Sequence, residues 1–271
     1  MTTTSNILKK NPLEMNYAGL TEWVETYMKN ERDLGHVLLK PSPILLTTIY
    51  AKLVIQGEII ANKWVKLACE GHLKDLKRSK EDPDFPWKFD EEKGWRPIRF
   101  IEKKCHPTKG SFKHLVMQPW QHFVVGSMFG WINKSTGVRR YRESLIFVAR
   151  KNGKTELESG LADYMAGFDG ENGPNVYFLA NSQKQASLLY EGSRTMIQKS
   201  PWLSDRFVPN RSEIRYPKTG GKILAMSAEK NNKDGENVHF AVFDEIHEYQ
   251  DYSLINVMRN SRGTRKQPLI V

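Results

Sequence analysis

Two stretches of this sequence combine residue types suited to phosphate chemistry. The first is FVARKNGKTELESG (147–160), where an apolar run meets Asn152, Gly153, Lys154 and Thr155 at the start of a helical pattern. NGKT at the corner between a strand and a helix is the context of a phosphate-binding loop. Backbone N–H groups around Gly153–Thr155 would cradle phosphate oxygens at a helix N-terminus, where the helix dipole favours anions. Lys154 would reach the β- and γ-phosphates, and the Thr155 hydroxyl would bind Mg²⁺. The full spacing of such a loop puts its first glycine at position 148, which is Val148 here.

The second stretch is VHFAVFDEIHEY (238–249), an apolar strand pattern ending in adjacent acids, Asp244 and Glu245. A carboxylate at the tip of a buried parallel strand sits at the carboxyl edge of the sheet, where open α/β folds bind their ligands. Asp244 is expected to hold Mg²⁺, and Glu245 to orient and activate the water that attacks a γ-phosphate. Adjacent carboxylates repel unless a metal or solvent compensates them. Asp244–His247 also reads as the DExH box of a helicase, although a helicase needs a second motor domain.

The elements that must position these residues differ between the two parts of the chain. In residues 1–115 the apolar rows Leu20/Trp23/Val24/Tyr27, Leu46/Ile49/Tyr50/Leu53 and Trp64/Leu67/Ala68 fall at helical spacing and are expected to face a core. Residues 81–98 are rich in proline and acids and read as an irregular connection. A further helix is expected through Phe123, Val124, Met128 and Trp131. From about 143 onward strands alternate with helices: Ser144–Ala149, Asn175–Ala180, Lys222–Ala228, Val238–Phe243 and Gln267–Val271 read as strands. Helices are expected through Leu157, Leu161, Tyr164 and Met165, and through Ala186 and Leu189. Near-continuous apolar strands separated by helices indicate a parallel sheet covered on both faces. The expected fold is therefore α/β: a phosphate-loop NTPase whose mainly parallel sheet is flanked by helices, preceded by a helical N-terminal region. The domain reading is 1–115 for the helical region and 116–271 for the NTPase core.

Composition is compatible with this and narrows the partners. The 271 residues carry 41 Lys and Arg against 31 Asp and Glu, a net charge of +10. Such an excess suits a polyanionic partner, with solubility the simpler use. The clusters at 96–114 (Arg96, Arg99, Lys103, Lys104, Lys109, Lys113) and at Arg259, Arg262, Arg265 and Lys266 are candidates for phosphate-backbone contact. Two cysteines, Cys69 and Cys105, are too few for a disulfide scaffold or a cysteine-rich zinc site. No apolar run is long enough to span a membrane, and the N-terminus lacks the apolar stretch of a secretory signal. A soluble intracellular protein is expected.

Taken together, ARKNGKT (149–155), VYFLANSQKQAS (176–187), VHFAVFDEIHEY (238–249) and RNSRGTRKQPLIV (259–271) resemble the large terminase subunit of tailed double-stranded DNA bacteriophages. KHLVMQPWQHFVVGSMFGW (113–131) fits as well. Phosphate loops of that family commonly lack the first glycine and carry an early basic residue, here Arg150 or Lys151, so Val148 agrees with the likeness. The resemblance implies an ATP-driven motor that moves double-stranded DNA, without regard to sequence, into a preformed capsid. The implied partners are a small terminase subunit and the capsid portal, with the large subunits in a ring. The implied location is the host cytoplasm and, transiently, the procapsid.

The likeness also makes Gln121 the adenine-recognising glutamine and Arg150 a sensor or stabiliser of the γ-phosphate. Arg150, Lys151, Asn152, Gly153, Lys154 and Thr155 then bind ATP, with Thr155 and Asp244 on Mg²⁺. Arg150, Lys154 and Glu245 serve catalysis. The family's nuclease domain and its Ser/Thr-, Ala- and Gly-rich coupling motif are not in these residues, so this polypeptide is not expected to cut DNA. A non-enzymatic DNA-binding or assembly module with a vestigial nucleotide site is the alternative, which an ATPase assay with and without DNA separates.

Overall fold

The structure, a computed structural model, describes residues 46–110, 115–227, 237–263 and 265–271, together with Gly19, Glu22, Trp23 and Thr26. Of the helix expected around Leu20–Tyr27, Gly19, Glu22, Trp23 and Thr26 are helical and the rest lies outside the described residues. Two compact units emerge, Met1–Lys103 with Val116–Arg140, and Lys104–Leu115 with Tyr141–Val271. This grouping differs from a division at 115/116, because 116–140 goes with the helical unit and 104–115 with the other.

The helical unit holds α1 (Leu46–Ile55), α2 (Lys63–Glu81), β1 (Trp87–Phe89), most of α3 (Glu91–Lys104), α4 (Pro119–Gly130) and β2 (Trp131–Asn133). The connection expected over 81–98 is thus replaced by an ordered strand and helix. Trp87–Phe89 pairs antiparallel with Trp131–Asn133, and Glu91 and Glu92 sit at the positive N-terminus of α3. α2 starts at Asn62, whose side chain accepts from Trp64 N at 2.9 Å and Val65 N at 3.1 Å. The row Trp64/Leu67/Ala68 is helical as expected but does not face the core. Trp64 is 68% and Leu67 55% exposed, while Cys69 and His72 are the buried residues of α2. The reason is partnering. Cys69 packs with Tyr50, Ala51, Val54 and Phe123, and His72 hydrogen-bonds Thr48 and Trp131, which turns that stripe inward.

The second unit is built on a six-stranded sheet in the order β4-β5-β6-β3-β7-β8. Its strands are β3 (Asn175–Ala180), β4 (Val208–Pro209), β5 (Glu213–Tyr216), β6 (Gly221–Ser227), β7 (Val238–Phe243) and β8 (Leu269–Ile270). The β6-β3, β3-β7 and β7-β8 pairs are parallel, and β5 and β4 extend the β6 edge antiparallel. Every residue of β7 is buried, as a strand covered on both faces requires. One face packs Tyr177, Leu179, Val238, Ala241 and Phe243 against Leu254, Ile255 and Met258 of α8 (Ser253–Asn260). α5 (Lys154–Gly167) and α6 (Gln183–Lys199) also lie against the sheet, followed by the single turn α7 (Pro201–Ser204). α5 and α6 approach closely at Gly192, where a Cβ would stand 2.8 Å from Ser159 Oγ and 3.5 Å from Thr155 Cγ2.

The strand expected at Ser144–Ala149 is absent. Only Glu143 bridges β8, with Ser144 N donating to Ile270 O at 2.9 Å and Ile270 N to Arg142 O at 3.0 Å. Since β8 ends at Ile270, the backbone of 145–149 meets no neighbouring strand among the described residues. Leu145 is 77% and Phe147 91% exposed as a result.

Candidate nucleotide-binding and hydrolysis site

The phosphate loop is shaped by two residues with positive φ, Lys151 at 66° and Gly153 at 74°. Gly153 adopts this conformation freely at the N-cap of α5, which opens at Lys154. Asn152 turns its amide inward and donates to Ala149 O at 3.1 Å and Arg150 O at 3.4 Å. It therefore staples the loop and is not among the residues lining the adjoining cleft. The side chain of Lys154 reaches the end of β7 and forms an ion pair with Asp244.

Asp244 stands where it does because Leu179 pairs with Phe243, and Asp244 N then donates to Leu179 O at 3.0 Å. This carries the β3–β7 ladder to the carboxyl edge of the sheet. Glu245 follows with φ 50°, in the left-handed region. A non-glycine residue there costs roughly 1–3 kcal/mol, which its surroundings must supply. A single turn, Ile246–Glu248, begins immediately after it, with Glu248 N donating to Glu245 O at 2.8 Å.

Lys154, Thr155, Asp244, Glu245, Arg150 and Arg259 all line one cleft of about 1050 Å³. Its electrostatics are set by a carboxyl the sequence reading missed. Glu158 lies one turn beyond Lys154, 6% exposed, and burial pushes its carboxyl up to about 8, with Asp244 adding and Lys154 opposing. Burial would lower the Lys154 pKa, but its hydrogen bond to Asp244 and the charges of Asp244, Glu158 and Glu245 leave it raised. Lys154 is thus cationic and suited to phosphate. The ion pair is half-buried, with Lys154 32% and Asp244 19% exposed.

The donors fit Mg²⁺ arriving with a nucleotide. The Thr155 hydroxyl and the Asp244 carboxylate face the same cleft, and Mg²⁺ needs only one or two protein oxygens beside phosphates and water. Among the described residues no group of three or more His, Cys, Asp or Glu could by itself hold a metal ion.

Arg150 and Lys151 are exposed on the cleft wall. Gln121 belongs to the helical unit, where it is buried and its Oε1 accepts from Gln118 N at 2.8 Å at the start of α4. The arginines of the 259–266 cluster are engaged within their own unit. Arg259 and Arg262 pair with Glu143 at 2.6 and 2.9 Å, and Arg265 donates to Asn237 Oδ1 at 2.7 Å beside Glu171. In the 96–114 cluster, Arg99 faces Trp95, while Lys104 covers Trp202. Lys113 lies outside the described residues. Besides Glu158, sequence reasoning missed Gln185, which donates to Glu248 Oε2 at 2.7 Å and Glu245 Oε2 at 3.4 Å. KTELE (154–158) put Glu158 at i+4 from Lys154, and S-x-x-Q (182–185) signalled a capping box. Both signals were in the sequence.

Residues 119–271, more than half of the chain, match the family described as terminase large subunit, ATPase domain. The chain belongs to that family. It is an ATPase domain, and the helicase alternative loses its ground. Among solved structures, the large terminase of bacteriophage HK97 is similar over 65% of this chain, at 24% identity and a TM-score of 0.56. This supports the α/β phosphate-loop fold. The match covers 36% of the HK97 chain, so the present sequence spans about a third of that relative's length. The large terminase ATPase domain of Thermus phage P74-26 aligns over 51% of this chain and 61% of its own, at 16% identity and a TM-score of 0.40. No curated protein sequence matches. Among the described residues no helix is long and apolar enough to cross a membrane.

Proposed function

We propose that this terminase ATPase domain hydrolyses Mg·ATP at the 149–155 loop to drive double-stranded DNA into a capsid. The observation that carries the reading is the meeting of Lys154 with Asp244 at the carboxyl edge of the sheet, in one cleft with Glu245. The loop amides and Lys154 bind the phosphates, with Arg150 on the cleft wall placed to stabilise the γ-phosphate and Lys151 beside it. Thr155 and Asp244 hold Mg²⁺, which supplies charge neutralisation for the phosphates. Glu245 orients water for ATP + H₂O → ADP + phosphate. DNA contact without sequence preference, a small terminase subunit, a portal, a ring of subunits and a place at the procapsid belong to the same proposal. So does adenine recognition by Gln121, which rests on the family resemblance and is checked by the ATP-over-GTP preference of Gln121→Ala.

The test is phosphate release with and without double-stranded DNA, together with calorimetric ATP titration. Lys154→Ala is expected to lose ATP binding. Glu245→Gln is expected to bind ATP and hydrolyse it about 10²–10⁴-fold more slowly, the usual contribution of a positioned base. Unchanged ATP affinity in Lys154→Ala would overturn the assignment of the loop. Normal hydrolysis by Glu245→Gln would remove Glu245 as the base.

A further inference from the structure

Gln185 is the third residue of α6, and the two ends of its side-chain amide are engaged differently. Its Oε1 accepts from Ser182 N at 3.2 Å and Ser182 Oγ at 3.1 Å, while Gln185 N donates to Ser182 Oγ at 3.3 Å. This reciprocal capping box starts α6 directly after β3. With the oxygen committed to two donors, the amide nitrogen must point the opposite way. There it donates to Glu248 Oε2 at 2.7 Å and to Glu245 Oε2 at 3.4 Å. One NH₂ thus bridges the side chains of Glu245 and Glu248, which also hydrogen-bond each other. It grips both ends of the turn that follows the strained backbone of Glu245.

We propose that Gln185 is a positioning residue for ATP hydrolysis, its amide, oriented by the α6 cap, fixing the Glu245 carboxylate for the attacking water. This rests on the reading of Glu245 as the group that orients the water. The same bond from Gln185, ahead of an opposing contribution from burial and aided by a hydrogen bond with Glu245, holds the Glu248 carboxyl below the usual range, so the bridge joins an amide to an ionised acid. The coupling runs along the sheet edge. α6 begins where β3 ends and Glu245 lies just past the end of β7, so the bond ties two neighbouring strand ends together.

Gln185→Glu separates the two jobs of the side chain. Glutamate serves a capping box as well as glutamine does, so α6 keeps its start. The donor is lost, and a third carboxylate faces Glu245 and Glu248. Steady-state ATP hydrolysis and thermal unfolding are measured on the parent chain, Gln185→Glu and Glu245→Gln together. The expected result for Gln185→Glu is an unchanged unfolding midpoint, a KM for ATP within about twofold of the parent and a kcat at least about tenfold lower. Adding Glu248→Gln to Gln185→Glu returns an amide donor to the cluster and is expected to restore kcat at least about threefold, which a capping role alone would not do.

A Gln185→Glu kcat within about twofold of the parent, beside a silenced Glu245→Gln, overturns the proposal and leaves Glu245 as the base. So does a lowered midpoint with no recovery in the double variant. Wild-type hydrolysis by Glu245→Gln, or no hydrolysis by the parent, removes the reading of Glu245 and this proposal with it.

Discussion

The side chains of Lys154 and Asp244 hold each other, and the proposed reaction needs both elsewhere. Phosphate oxygens must take the ammonium and Mg²⁺ must take the carboxylate, so the two exchanges have to occur together. Asp244→Asn weakens one arm only. Calorimetry on this variant is expected to show nucleotide affinity that no longer rises when Mg²⁺ is added, while the parent gains affinity with the metal. Glu158 adds a pH signature. Its carboxyl titrates near 8 in the fold, well above an unfolded glutamate, so the folded protein binds the extra proton. Its favourable contribution is complete below about pH 4.5 and is lost as pH rises through 8, each pH unit in that window removing up to about 1.4 kcal/mol. Gln resembles the protonated acid. Denaturant unfolding of Glu158→Gln is expected to match the parent at pH 5 and to exceed it by a few kcal/mol at pH 9.

At the scale of elements, α2 shows which signals were legible. Its helical period is plain in the sequence, but its most apolar stripe is not the one that is buried. Trp64 and Leu67 outweigh Cys69 and His72 in hydrophobicity, and burial was decided by what α1 and β2 offer as partners. β3 and β7 were readable to the residue because both faces are covered and their whole length is apolar. The failed strand at 144–149 had the same texture. A ladder needs a neighbour as well as a composition, and β8 supplies two residues. For the site, the loop and the acids were visible, as sequence-local motifs are. The bond from Gln185 to Glu245 was not, because it depends on the parallel pairing of β3 with β7.

The buried His72 yields an element-scale prediction. Burial lowers its pKa to about 4, opposed by Asp75, and the neutral ring accepts from Trp131 Nε1 at 3.0 Å. Unfolded histidine binds protons more readily, so this contribution is present above pH 6.5 and is lost as pH falls toward 4. The full effect is on the order of 3 kcal/mol. His72→Leu should flatten that acid limb in urea titrations followed by tryptophan fluorescence. It should also cost about 1–3 kcal/mol at neutral pH by stranding the Trp131 N–H.

Across the whole molecule, +10 of net charge is spread over a surface whose most obvious arginines are already employed. If DNA is held through phosphates, affinity falls with salt at a log–log slope of about −0.9 per phosphate neutralised and does not depend on sequence. Arg265, tied to Asn237 and beside Glu171, is expected to affect unfolding more than DNA affinity when changed to Ala. A salt titration on two unrelated duplexes, with a melt of the variant alongside, checks both statements.

Leu145, Ile146, Phe147 and Val148 form a short apolar ribbon along the cleft that pairs with no strand among the described residues and leaves Leu145 and Phe147 exposed next to β8. Edges of this kind recruit further strands and act as adhesive sites between molecules. That ribbon is expected to govern the colloidal behaviour of the chain more than its net charge does. Light scattering should show self-association growing with protein concentration and persisting in high salt, where charge repulsion is screened. Phe147→Lys puts a cation on the exposed face of the ribbon and should keep the chain dispersed at the same concentrations, with no change in its melting temperature.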